Sequence, residues 1–90
     1  MNKLDRLEIR CELASDRIDS YDTVEYLCRD ALRCLQGKVL FQDDKDIRKR
    51  LRALVAEAKQ MQKAYRTVLD DTWEEYLVAE RDLKDKDVAK

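Results

Sequence analysis

Proline is absent from this chain, histidine is absent, and glycine occurs once, at position 37. Proline and glycine break helices and build tight turns, so a chain that nearly dispenses with both has few places to bend. Without histidine, the commonest general base and the commonest metal ligand near neutral pH are both missing. Serine occurs only at Ser15 and Ser20, with no base nearby in sequence, and no glycine-rich loop is present to cradle a phosphate. No apolar run approaches the ~18 residues of a membrane span. The first residues, Met1-Asn2-Lys3-Leu4-Asp5-Arg6, alternate charge where a signal peptide would carry an apolar core. The cysteines Cys11, Cys28 and Cys34 are odd in number and lack paired spacing, which predicts free thiols in a reducing, cytoplasmic setting.

What remains is divided between apolar residues (44%) and charged residues (43%), leaving little for loops. That balance is typical of long amphipathic helices and unlike that of disordered chains. Ninety residues make one small domain. The fold class is all-α.

Counting by seven from Leu4 gives Leu4, Cys11, Ile18, Glu25 and Leu32; counting from Leu7 gives Leu7, Ala14, Tyr21, Cys28 and Leu35. Only Glu25 is polar. Two apolar rows sustained over four heptads predict a helix that packs on another helix. Gly37 can end it in the left-handed conformation without a Cβ penalty, so the first helix is expected over 3–36. Asp22-Thr23-Val24-Glu25 has the form of a capping box and would mark a break near Tyr21. The unbroken phase of the rows favours a continuous helix.

A turn over 37–43 precedes a second helix, expected over 44–84 with a frayed tail at 85–90. Asp43, Asp44 and Asp46 suit its N-terminus, where carboxylates oppose the helix dipole. Its apolar rows are expected at Ile47, Leu51, Leu54, Ala58, Met61, Tyr65 and Val68. The pattern then fails at Thr72 and Glu75, while Leu69, Trp73, Tyr76 and Leu83 take over. That shift predicts a stutter or a break near 71. The architecture expected is an antiparallel helical hairpin, two of which dimerise into a four-helix bundle with Leu4, Leu7, Ile18, Leu51, Leu54 and Met61 in its core. Pairing residue i with about 81 − i brings Asp16 and Asp19 to Lys63 and Arg66, and Arg6 and Arg10 to Asp71, Glu74 and Glu75. Val39, Leu40 and Phe41, next to the only glycine, either plug the end of the hairpin or form an apolar binding tip.

Chemistry has little to work with. Cys28 and Cys34 are not at a zinc-ligand spacing, and the i, i+4 acid pairs Glu8/Glu12, Asp70/Glu74 and Asp71/Glu75 lack the histidine partners of two-metal bundles. No metal, cofactor or small-molecule substrate is expected. In size and plan the chain resembles the intertwined all-helical chorismate mutases, whose pockets grip a dicarboxylate with cations. Arg10, Arg33, Lys38, Arg48 and Arg52 would supply cations, but the residues do not fall into that family's pattern, and Glu80 stands where the resemblance implies an uncharged polar partner.

Charge is unevenly placed. Residues 45–66 carry eight cations against two anions, a net +6, whereas residues 1–44 sum to −3 and residues 67–90 to −4. Arg48, Arg52, Lys59, Lys63 and Arg66 recur at helical spacing and are expected on one solvent-facing stripe. The reading is a non-enzymatic helical module that binds another protein, as an adaptor, regulator or inhibitor, a build common among accessory proteins of bacteria and their phages. It would use that stripe together with Leu40, Phe41, Trp73 and Tyr76. The alternatives are nucleic-acid binding through the same stripe and a small enzyme of the mutase type.

Overall fold

The computed structural model describes residues 2–35 and 42–88. Two helices account for them, α1 (Lys3–Cys34) and α2 (Gln42–Val88), packed side by side as a hairpin. The expected turn residue Gly37 and the apolar triplet Val39-Leu40-Phe41 lie outside the described residues. The molecule is a rod of 76 × 17 × 15 Å with a radius of gyration of 20.7 Å. A compact domain of this length would have about 12 Å.

Asn2 caps α1: its Oδ1 accepts from the Asp5 amide at 2.8 Å. The helix ends slightly earlier than expected, at Cys34, with the Leu35 amide bonded to the carbonyls of Ala31 and Leu32. Neither of the breaks considered at Tyr21 and at 71 occurs. The hydroxyls at these points turn back onto carbonyls four residues earlier. Ser20 donates to Asp16, Thr23 to Asp19 and Thr72 to Val68, at 2.9, 3.1 and 2.6 Å. A hydroxyl satisfied inside its own helix leaves the backbone ladder uninterrupted.

All ten residues of the two rows read in α1 are buried or half-buried, Glu25 included. The seam of α2 is rotated from the one expected. It runs through Leu51, Val55, Ala58, Gln62, Tyr65, Leu69, Thr72, Tyr76 and Ala79, a strict alternation of four and three. Ile47 and Leu54 are exposed, while Met61 and Val68 sit half-buried at its edge. No stutter is present, because the row Leu51, Ala58, Tyr65 continues in phase to Thr72 and Ala79.

The reason is that this shared row has apolar neighbours on both sides. The side containing Ile47, Leu54, Met61 and Val68 is the more apolar, whereas the side that faces α1 contains Arg48 and Gln62. Gln62 decides the matter. Its Nε2 donates to Glu25 Oε1 at 3.3 Å, joining the polar exception of each seam in one layer. Tyr21 and Tyr65 stack beside it with ring centroids 6.1 Å apart. A polar pair inside a helix interface penalises every register that would separate it.

These two contacts place residues whose numbers sum to 86 and 87 side by side, rather than to the expected 81. The expected alignment rested on cross-helix ion pairs. Among the described residues, the ion pairs formed are Arg29–Glu25, Arg33–Asp30 and Lys84–Glu80, each within one helix. Exposed ion pairs contribute roughly 0.2–1 kcal/mol, while stranding a buried amide costs about 1–3 kcal/mol. The polar layer therefore outweighs the surface charges.

Candidate interaction surfaces

With the seam fixed, each helix has two flanks, and their compositions differ sharply. On one flank of α2 lie Lys45, Lys49, Arg52, Ala56, Lys59, Lys63 and Arg66, all exposed, six cations and an alanine with no acid among them. Arg48 departs from the expected stripe. It belongs to the row that faces α1, and its Nε is enclosed without a hydrogen-bond partner among the described residues. Lys45, Arg48, Lys49 and Arg52 line one shallow cleft.

Further along the same flank, exposed Asp70 ends the run of cations, and Trp73, 52% exposed, follows it, with exposed Leu77 one turn on. The Trp73 ring stacks on that of half-buried Tyr76, with centroids 5.3 Å apart and planes 3° from parallel. The structure thus brings Trp73 and the cations, which the sequence offered as separate groups, onto one side of one helix. From α1 the same flank receives Arg29 and Arg33, each tied to an acid on its own helix, together with the acids Asp5, Glu8 and Glu12 toward the chain termini and Asp19 and Asp22 level with Arg66 and Lys63. Leu40 and Phe41 lie outside the described residues.

The opposite flank is an open groove between the helices. Tyr21 and Val24 face Leu54, Ala58 and Met61 across it. Arg10, Leu13, Ala14 and Arg17 face Tyr65 and Val68. Lys3 and Leu4 face Ala79, Asp82 and Leu83. Leu13, Val24, Leu27, Ile47 and Leu54 on this side are exposed. Its charges are segregated by helix. On α1, Lys3, Arg6, Arg10 and Arg17 are all cations, and on α2 the terminal part of the groove rim holds Asp71, Glu75, Asp82 and Asp85.

Of the six residues expected in a dimer core, Leu4, Leu7, Ile18 and Leu51 line the contact between α1 and α2, and Leu54 and Met61 lie in the groove. The cations weighed against the mutase pattern are not gathered in one chain: Arg10 lines the groove, and Arg48 and Arg52 line the cleft on the other flank. Among the described residues no cluster of three cysteine or carboxylate side chains could hold a metal ion, and no helix is long and apolar enough to cross a membrane. Cys28 is buried, Cys11 half-buried and Cys34 exposed, all three free.

No protein-family model matches the chain, and neither a curated protein nor a solved structure matches it significantly.

Proposed function

We propose that this protein is a non-enzymatic interaction module whose cationic flank binds an acidic surface on another protein. One observation carries the reading: six cations from Lys45 to Arg66 line one side of α2 without an intervening acid, and beyond exposed Asp70 the same row continues to exposed Trp73. Clustered charge of one sign steers encounter with a complementary partner. A large aromatic beside arginine supplies the anchor residues in which protein interfaces concentrate their affinity. Asp19, Asp22 and Asp70 on the same flank border the patch at Lys63 and Arg66, and further acids follow toward the termini.

The same cations favour a second reading, binding of nucleic acid, because phosphate neutralisation rests on such rows. The two separate cleanly. Arg52→Glu with Lys63→Glu should leave helicity and melting nearly unchanged, since both side chains are exposed. Capture of an acidic protein by the wild-type chain, lost in this variant and in Trp73→Ala, supports the proposal. Binding of a mixed-sequence duplex oligonucleotide, with affinity falling log-linearly in salt at a slope near −0.9 per phosphate, would replace it with the second reading. If a captured partner survives both substitutions, the cationic flank is only a solvated surface.

A further inference from the structure

We infer that the apolar groove is the interface with a second copy of this chain, packed face to face with both hairpins pointing the same way. The inference does not depend on what the cationic flank binds. Three observations carry it. The first is area. The chain exposes 7395 Å², about 1,900 Å² more than a globular monomer of its mass. Obligate homodimers take about 1,000 Å² or more from each partner, so covering the groove with a second hairpin lies within that excess. The second is that the groove is the side on which the apolar row rejected by α1 remains only partly covered, with Ile47 and Leu54 exposed and Met61 and Val68 half-buried.

The third is charge complementarity, which selects both the occupant and its direction. A two-fold axis along the rod sets α1 of one copy antiparallel on the partner's α2, in the register that the hairpin itself uses. The four groove cations of α1 then meet the acidic end of the partner's α2, and Val24 and Leu27 meet the partner's Met61. A two-fold axis across the rod would stack α1 on the partner's α1, with arginines over an apolar stretch. The parallel arrangement leaves the cationic flanks of both copies facing outward, on opposite sides of a four-helix bundle.

Ser20 and Ser15 provide the test, because both are exposed, Ser20 beside the groove and Ser15 on the opposite flank. Light scattering should give twice 10.7 kDa for the wild-type chain at micromolar concentration. Ser20→Glu should raise the dimer dissociation constant about tenfold or more, because a carboxylate is driven into an apolar contact, while Ser15→Glu leaves it unchanged. Circular dichroism should show equal helicity in all three proteins. Nitroxides on exposed Cys34 should lie close together in the dimer, at one end of the 76 Å rod. A monomeric wild-type protein, a dimer broken by Ser15→Glu instead of Ser20→Glu, or Cys34 labels at opposite ends of the rod would each overturn the inference.

Discussion

The polar layer of Glu25 and Gln62 can be tested by a double-mutant cycle with leucine at each position. Gln62 is 6% exposed and its amide donates to Glu25, so Glu25→Leu strands a buried donor. That costs about 1–3 kcal/mol, offset by up to about 1 kcal/mol from the leucine that takes its place, for a net loss of about 1–2 kcal/mol. Gln62→Leu is milder. The Glu25 side chain is 21% exposed and keeps Arg29 at 3.2 Å, so water and the guanidinium still satisfy it. A loss of about 0.5 kcal/mol is expected, at the low end for a hydrogen bond. With both replaced the layer becomes apolar, and the double variant should equal or exceed the wild type, as happens when buried polar pairs are replaced together. The coupling energy is then about 2 kcal/mol, within the range for residues in contact. Urea unfolding followed by circular dichroism, at one fixed protein concentration, would show the Glu25→Leu midpoint displaced by about 1 M and the double variant restored. Additivity of the two single substitutions within about 0.5 kcal/mol would refute the layer as a coupled unit.

Leu7→Ala should destabilise the hairpin by about 2–4 kcal/mol in the same urea assay, because Leu7 is 7% exposed and its loss leaves a cavity between the helices. Asn2→Ala removes the acceptor of the Asp5 amide and should cost about 1 kcal/mol, whereas Asn2→Asp should be neutral. Toward a thiol reagent in the native state, Cys34 should react first, Cys11 more slowly and Cys28 last, following their exposure; equal rates at all three would show that the α1 seam opens readily.

The sequence revealed α1 almost completely, because its two apolar rows lie next to each other and only Glu25 interrupts them. In α2 the same counting chose the wrong side of the row Leu51, Ala58, Tyr65. The side carrying Ile47, Leu54, Met61 and Val68 is greasier than the side carrying Arg48, Val55, Gln62 and Leu69, so hydrophobicity alone favoured it. The signal that would have corrected this was present in the exceptions: Glu25 in one seam and Gln62 in the other, able to pair. Thr72 was misread for a similar reason. A threonine looks like a cap or an interruption, yet at 2% exposed its hydroxyl is satisfied by the Val68 carbonyl and its methyl group packs in the seam. The cationic stripe was legible as a cluster, but its membership was not. Whether Arg48 or Lys45 and Lys49 belong to the outer flank depends on the rotation of α2 by one position.

That rotation also explains why a chain of net charge −1 has such uneven blocks of charge. Read linearly, α2 is basic in its first half and acidic in its second. Around the helix, six of the eight cations of the first half gather on one flank, while the groove rim holds acids in the second half and mostly apolar side chains, with Arg50 and Glu57, in the first. α1 supplies the complement on each side: acids toward the termini on the cationic flank, and cations toward the termini along the groove. Within a lone hairpin these charges form no cross-helix ion pair among the described residues. A surface that leaves its charges unpaired within the chain is what both proposed interfaces would use. On the groove side the complementary charge exists in a second copy of the same sequence. On the cationic flank the acids of the chain itself, Asp19, Asp22 and Asp70, reach Lys63 and Arg66 and leave the stretch from Lys45 to Lys59 without an acid in its row. The proposed acidic partner would supply the anionic surface that this stretch of the flank lacks.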